Sequence, residues 1–227
     1  MPSGRGGLAA APKETHWLRV EDPSGRTTGG TLRTGFGRVS GQEAPMKPTD
    51  ILRHEHEIVL MVLDAARREA GGIEAGEAPD GDRIGRMLEF CRDFVDRCHH
   101  AKEEKFLFPK MRERSPLAAE RPLVVMLGEH EECRRLVKAM AESLPAARDG
   151  GGAALKNLAE NLIAYVDLLR AHIDKEDNVL FPLAERVLPA EDQKALVEAF
   201  EKIEAEELGA GVHEKYHQFA HDLAEQR

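Results

Sequence analysis

Two histidine and glutamate pairs with the same spacing occur in the chain, inside two copies of one short pattern. The first copy reads HHAKEEKFLFP from His99, and the second reads HIDKEDNVLFP from His172. In each copy a glutamate, Glu103 or Glu176, follows the histidine by four residues, which on a helix places both side chains on one face, about one turn apart. An imidazole nitrogen and a carboxylate could then approach one metal ion together. Two copies predict two equivalent halves of one site.

The residues around each pair indicate which face of the helix is buried. Helical spacing aligns the second pair with an apolar stripe: Leu158, Leu162, Tyr165, Leu169 and Val179. It aligns His99 and Glu103 with Leu88, Val95 and Phe106, whereas His100 falls with Asp93, Asp96 and Glu104. We therefore expect His99 to face the core and His100 to face solvent; with the opposite rotation, Glu104 would replace Glu103. Buried glutamates usually have a partner or a metal, and the competing interpretation is an exposed pair on the surface.

Single histidines on two further helical stretches extend this set. His54 and His56 are two residues apart, so on a helix they point about 160° away from each other and only one can face a common centre. We select His56 because it aligns with the more continuous apolar stripe, formed by Leu52, Val59, Leu60 and Leu63. His130 aligns with Met126, Leu127, Cys133 and Val137. One such histidine is more often a core residue than a ligand, but together the stretches predict a metal site: His56, His99, Glu103, His130, His172 and Glu176.

The donor types in this set favour two cations over one. Imidazoles with bridging carboxylates suit iron or manganese in the +2 and +3 states, whereas zinc is more often satisfied by four ligands at one tetrahedral site. Two octahedral ions need about twelve donors, which the six side chains do not fill. Positions are left for solvent, an oxo bridge or a diatomic ligand, so the predicted site is chemically open.

With these residues the sequence resembles the hemerythrin-like family, the HHE cation-binding domains. The resemblance rests on Glu55 and His56, on His130, and on the two copies of His-x3-Glu followed by Leu-Phe-Pro, and it covers about residues 47–186. It implies a four-helix bundle that holds two iron ions joined by an oxo or hydroxo bridge, with Glu103 and Glu176 as further bridges. Members of such a family bind dioxygen, sense oxygen or iron, decompose peroxide, or respond to nitric oxide and iron-sulfur damage.

The chain departs from the oxygen-carrying members in ways that favour a reactive or sensing site. Arg134 stands where a second histidine would continue a His-x3-His pair, and the last pair is His-x3-Glu instead of His-x4-Asp. We expect a peroxidase or catalase-like scavenger, and the alternative is an oxygen, iron or nitric-oxide sensor that binds its ligand without turnover. Ferritin-like di-iron proteins use paired Glu-x-x-His motifs, and here only Glu214 and His217 have that spacing.

The composition and the positions of helix-terminating residues predict the helices that must position these residues. Charged residues make up 32% of the chain and β-branched runs are nearly absent, which predicts an all-α fold. We expect an antiparallel up-down four-helix bundle with appended C-terminal helices. The predicted helices span about 50–70, 82–108 with an end or kink at Pro109, 121–143, 153–181, 191–208 and 212–226.

Composition also limits the compartment and the partners. The net charge of −9 argues against a general nucleic-acid or anionic-membrane binder. Cys91, Cys98 and Cys133 are odd in number and lie in helical patterns, and no apolar run is long enough to span a membrane. We therefore expect a cytoplasmic protein, a monomer or a homodimer. The resemblance to the hemerythrin-like family implies dioxygen, peroxide or nitric oxide as its small ligand.

The predicted domain organisation has three parts. Residues 1–45 are rich in Gly, Arg, Ser and Thr and are expected to form a disordered extension, with a basic interaction arm or a transit peptide as the alternative. Residues 46–188 form the bundle, and residues 189–227 form a helical extension that caps the bundle or mediates dimerisation. In that extension His213, His217 and His221 form a ladder beside Tyr216, either a solvated face or a further metal ligand.

Overall fold

The computed structural model describes residues 46–207, 209 and 211–225, and within these residues the fold is all helical, as predicted. The extension predicted over residues 1–45 lies outside the described residues. The described residues form eight α-helical and three π-helical segments: α1 (Pro48–Glu74), α2 (Gly81–Phe90), π1 (Cys91–His100), π2 (Glu103–Leu107), α3 (Phe108–Arg114), α4 (Pro116–Arg148), α5 (Gly152–Lys175), π3 (Glu176–Leu180), α6 (Phe181–Val187), α7 (Ala190–Glu207) and α8 (Val212–Glu225).

Each Leu-Phe-Pro sequence lies where a π turn returns to an α-helix. We expected Pro109 to end or kink its helix, but the helical backbone continues through α3, and it likewise continues past Pro182 through α6. The backbone N–H of Phe108 donates to the carbonyl of Glu103, and that of Phe181 to the carbonyl of Glu176. This bond reaches back five residues, so the wider turn changes the hydrogen-bond register just before the proline, which has no N–H to donate.

The third long helix is also longer than predicted. α4 starts at Pro116, at the first helical position where a missing N–H costs nothing, and it includes Pro122 and Pro145. The prediction that it would end before Pro145 was wrong. Leu144 and Ala147 of its last turns are buried in the core, so packing outweighs the hydrogen bond that the proline removes.

The core consists of two apolar clusters, and the candidate metal ligands lie between them along every long helix. One cluster takes Leu52 from α1 and Leu107 from π2, while the other takes Ile58 from α1 and Val95 from π1. In α1, His56 lies between Leu52 and Ile58. His99 and Glu103 lie between Val95 and Leu107. The same order holds on α4 and on α5 with π3. The fold thus brings the polar residues to one level, closed on both sides by apolar packing.

The two C-terminal helices pack against the rest of the same chain. Leu196 and Phe200 of α7 join the cluster that contains Leu52, and Phe219 of α8 joins the cluster that contains Ile58. α8 lies along α1, and the Tyr216 hydroxyl donates a hydrogen bond to Asp93 Oδ2 at 2.9 Å. Among the described residues, no helix is both long and apolar enough to cross a membrane.

Candidate metal centre

Two pairs of histidines meet through their Nε2 atoms in the centre of the fold. His56 Nε2 lies 3.1 Å from His99 Nε2, and His130 Nε2 lies 3.1 Å from His172 Nε2. All four residues are at most 2% exposed. Metal to imidazole bonds of about 2.1 Å place neighbouring nitrogens around one ion about 3 Å apart. Each pair therefore has the spacing of two imidazoles that share an ion.

Two glutamates connect these pairs. Glu176 Oε2 lies 3.2 Å from His56 Nε2, and its Oε1 lies 3.1 Å from His172 Nε2. Glu103 Oε2 lies 3.5 Å from His130 Nε2 and 3.9 Å from His99 Nε2. Each carboxylate thus reaches both histidine pairs, which is the arrangement needed to bridge two cations.

The carboxylates have no hydrogen-bond donor of their own. Both side chains are fully buried, and none of the four carboxylate oxygens of Glu103 and Glu176 has a hydrogen-bond partner. Burial, followed by the negative charge of Glu176, raises the pKa of Glu103 well above its ordinary value. Buried carboxylates that lack donors are costly, and cations between the histidine pairs would supply the missing partners. The residues therefore fit a pair of metal ions.

Each of the four rings is held from behind by a carboxylate at its Nδ1 atom. The distances are 2.9 Å from His56 to Asp177, 2.9 Å from His99 to Glu55, 2.6 Å from His130 to Glu104 and 2.8 Å from His172 to Glu129. A carboxylate accepts the Nδ1–H proton and leaves the Nε2 lone pair free toward the centre. Such partners orient metal-binding histidines and make them more basic.

Two lysines complete the repeat. Lys102 pairs with Glu55, and Lys175 pairs with Glu129, in both cases with the carboxylate that holds the histidine three residues earlier. Burial opposes ionisation of Glu55, but the charge of Lys102, the nearby His213 and the hydrogen bond with His99 outweigh it and hold its pKa well below the ordinary value. Burial likewise opposes ionisation of Glu129, but hydrogen bonds from Lys175 and His172 outweigh it and lower its pKa, so the two carboxylates paired with lysines are kept ionised.

These contacts relate the two halves of the site by an approximate twofold correspondence. Glu55 and His56 on α1 correspond to Glu129 and His130 on α4. The first pattern, with His99, Lys102, Glu103 and Glu104, corresponds to the second, with His172, Lys175, Glu176 and Asp177. The repeat seen in the sequence therefore extends to the partners of the histidines.

All six predicted ligands come together. The ligand atoms of His56, His99 and Glu176 lie within 4.8 Å of one another, and so do those of Glu103, His130, His172 and Glu176. His56 is buried as selected, whereas the His54 side chain is 35% exposed and contacts the ring of His217.

The prediction that His100 faces solvent was wrong, since His100 is 1% exposed. It lies at the end of π1, and in a π-helix one residue step rotates a side chain by less than the about 100° of an α-helix. Adjacent residues can then both face inward. Glu103 keeps its predicted place, while Glu104 lies behind His130, and Arg134 donates to Glu104 Oε1 and to Asp96 Oδ1, each at 2.7 Å.

The histidine ladder of α8 stays outside the two ligand groups. His213 Nε2 lies 3.8 Å from Glu55 Oε1, behind His99, while His221 is exposed. Cys98 lies in the core, as expected. Sequence reasoning missed the roles of Lys102, Glu129, Lys175 and Asp177. The repeated Glu-His dipeptide, and the lysine at the same place in both patterns, were the signals that could have identified them.

A cavity of about 250 Å³ reaches the ring of His100 from one side. Its walls include an inner imidazole, two buried thiols, a buried phenol and a guanidinium, namely His100, Cys91, Cys133, Tyr165 and Arg134. Burial raises the pKa of Cys91 to about 11, so this thiol stays protonated near neutral pH. The cavity provides space for a small molecule next to His100.

The fold and the paired sites define a helical cation-binding domain. Residues 47–184 match the family model of the hemerythrin HHE cation binding domain. The chain belongs to this family, as the resemblance indicated.

Individual relatives are more distant. The chain is 25% identical over 168 residues to a protein named Uncharacterized protein Rv1995 of Mycobacterium tuberculosis, a match that covers 74% of this chain and 65% of that protein. It is 27% identical over 134 residues to the iron-sulfur cluster repair protein YtfE of Escherichia coli (strain SMS-3-5 / SECEC), which covers 58% of this chain and 60% of YtfE. The chain thus spans less than two thirds of the length of these relatives. No solved structure matches it.

Proposed function

We propose that this chain is a non-haem di-iron protein that reacts with peroxide or dioxygen, with His56, His99, Glu103, His130, His172 and Glu176 as the ligands. The observation that carries the proposal is the pair of buried glutamates without hydrogen-bond donors, each placed between two histidine pairs. We take the long helices to form the antiparallel four-helix bundle expected of the family. The family match supports a cation-binding domain, and the donor types favour iron.

The protein side chains would act by holding the centre in one geometry. Bound iron would supply reversible one-electron oxidation and reduction, together with Lewis acidity toward an oxygen-containing ligand. Glu103 and Glu176 would hold the two ions at a fixed separation, and the carboxylates at Nδ1 would keep the rings oriented. The apolar clusters on both sides would limit access of bulk water.

The cavity beside His100 supports a small ligand over a large substrate. A volume of about 250 Å³ admits peroxide, dioxygen or nitric oxide with room for water, and it is below the range of about 300–1,000 Å³ of pockets for drug-sized molecules. The three cysteines are buried free thiols, which is consistent with the proposed cytoplasmic location.

The decisive experiment is loading with Fe(II) under anaerobic conditions, followed by iron analysis and a near-ultraviolet spectrum. Two irons per chain are expected, and added hydrogen peroxide should be consumed over many turnovers. The His172→Ala variant should lose both the iron and the turnover. Absence of iron from the folded protein would contradict the whole proposal, whereas two irons without turnover would contradict only the scavenging activity.

A second function is favoured by the YtfE relatives, whose name describes iron-sulfur cluster repair. In that case the centre would bind nitric oxide or release iron as a sensor or a donor. Stoichiometric nitric-oxide binding without peroxide turnover, or transfer of iron to an apo iron-sulfur protein, would favour this function over scavenging.

A further inference from the structure

The twofold correspondence of the site fails at one buried position. His100 follows His99, and the residue that follows the corresponding His172 is Ile173. Both are buried, at 1% and 4% exposure. One half of the site therefore has an imidazole where the other half has an aliphatic side chain, so the two halves offer different numbers of nitrogen donors.

The surroundings of His100 leave its ring without a hydrogen-bond partner. Neither Nδ1 nor Nε2 makes a hydrogen bond. The nearest acid is Asp96, whose Oδ1 lies 3.6 Å from His100 Nδ1, and that oxygen already accepts from Arg134 Nε at 2.7 Å. A buried imidazole with both nitrogens unsatisfied loses the free energy of its hydration without compensation. Some other partner would have to offset this cost.

The ring of His100 lies against the second histidine pair. It stacks on His130 with ring centroids 3.8 Å apart, and it meets His172 edge-on at 5.8 Å. One ligand atom from each of His100, His130 and His172 falls within 4.8 Å of the others. Bonds of about 2.1 Å to one ion require nitrogen separations of about 3 to 4.2 Å. Because an imidazole lone pair lies in the plane of its ring, the His100 ring would turn out of its stacking contact with His130 to share a cation with this set.

We propose that His100 is a third imidazole ligand for the metal position of His130 and His172. The position of His56 and His99 has two imidazoles, because Ile173 stands where the third would be. The inference rests on the proposed function, since it assumes that these residues bind metal, and it deepens it by making the two positions unequal. In α4, Arg134 occupies the place where a second histidine would continue a His-x3-His pair. The additional nitrogen comes instead from His100 in π1.

Cobalt(II) is a suitable probe because its visible absorption reports the number and type of its ligands. The full chain should bind two Co(II) ions. The His100→Leu variant, which keeps the side-chain bulk, should bind one of them at least about 10-fold more weakly, with a changed visible spectrum. The His54→Ala variant is the matched control, because it removes a nearby histidine outside the ligand groups and should titrate like the unchanged chain.

A purely structural role for His100 makes a different prediction. If the ring served only to fill the core, His100→Leu would alter the melting temperature of the metal-free protein and leave the rise on adding Co(II) unchanged. A ligand role predicts that the metal-free variant is at least as stable as the unchanged protein, because an unsatisfied imidazole has been removed, and that the rise on adding metal is smaller.

Rescue gives an independent readout, because the cavity opens next to this ring. The His100→Gly variant should regain tight binding of the second Co(II) ion when free imidazole is added. The His172→Gly variant is the comparison, because it shows how Co(II) binding responds when a ligand of the proposed function is removed. If His100→Leu does not fold, the His100→Gly variant and its rescue provide the test.

The outcomes separate the two proposals. Two Co(II) ions bound by His100→Leu or His100→Gly, with unchanged affinity and spectrum, would overturn the role of His100 and leave the di-metal centre intact. An unchanged chain that binds no metal would overturn both.

Discussion

Lys102, which is 0% exposed, forms an ion pair with the buried carboxylate of Glu55, directly behind the ring of His99. Buried ion pairs add little net stability, because desolvation of both charges offsets their attraction. The pair keeps Glu55 ionised, and an ionised Glu55 fixes the Nδ1–H tautomer of His99. We therefore interpret the role of this ion pair as orienting His99 for metal binding, at some cost in the stability of the fold.

This interpretation predicts that substitutions of Lys102 and Glu55 change the stability of the fold and the affinity for metal by different amounts. Lys102→Met leaves a buried carboxylate without its cation and should lower the free energy of unfolding by about 3–5 kcal/mol. The double variant Lys102→Met with Glu55→Gln should recover most of that loss, because no fully buried charge is left unpaired; Glu204, the other partner of Lys102, is 31% exposed. Its iron affinity should still be about 10–100-fold lower, since the His99 ring loses its ionised acceptor.

Chemical denaturation of the metal-free proteins and iron titration of the folded ones would measure the two effects separately. Lys175→Met is the matched control, because Lys175 makes the equivalent pair with Glu129 but its side chain is 37% exposed. Its loss of stability should be much smaller. A double variant with normal iron affinity would contradict the role assigned to Glu55.

Removal of the metal should lower the stability of the whole domain. The candidate ligands come from every long helix and meet between the two apolar clusters, so we expect metal to bind only in the folded state. At a free metal concentration about 1,000 times the dissociation constant, one site adds about 4 kcal/mol. In calorimetry, adding a chelator should greatly lower the melting temperature of the unchanged protein. The same chelator should change the melting temperature of the His172→Ala variant very little. Equal melting temperatures with and without metal would contradict a site of this kind.

The sequence was sufficient for the long helices and for the burial of the six candidate ligands, because both copies of the pattern lie on amphipathic helices and the helical period places them inside. It was insufficient at His100 and at Pro109, for one physical reason. The stretch from Cys91 to Leu107 contains two π segments, and no periodic rule based on 3.6 residues per turn follows a side chain through them. The partners at Nδ1 were missed because they depend on which helices are neighbours, as with His56 and Asp177.

The two histidines of α1 provide a direct test of the ligand assignment. His56→Ala removes an imidazole whose Nε2 lies 3.2 Å from Glu176, and it should reduce iron affinity by more than the about 10–100-fold typical of losing an outer partner. His54→Ala removes a partly exposed ring one half-turn away and should leave the iron content unchanged. Iron analysis of both purified variants decides the matter, and loss of iron in His54→Ala alone would mean that α1 is rotated relative to the site.

An ion cluster at the start of α1 should make stability depend on pH in the acid range. Glu185 accepts hydrogen bonds from Lys47 Nζ at 2.7 Å, Arg53 Nη1 at 2.8 Å and Thr49 Oγ1 at 3.0 Å. Partial burial opposes ionisation, but these bonds outweigh it and lower the pKa of Glu185 to about 2. The cluster ties α6 to the first turns of α1, next to the region of His56.

Because the pKa of Glu185 is lowered in the folded protein, its ionised carboxylate stabilises the fold at neutral pH. In the unfolded chain a glutamate titrates near about 4.3, so the stabilisation from Glu185 is fully present above that pH and is lost as the pH falls toward 2. Glu185→Gln should therefore reduce the free energy of unfolding by about 1 kcal/mol at pH 7, and the difference from the unchanged protein should shrink steadily below about pH 4.3. Urea denaturation of the metal-free proteins from pH 7 to 3 measures that difference, and 1 M salt should reduce it at pH 7. Parallel stability curves across this range would show that the cluster does not stabilise the fold through its charge.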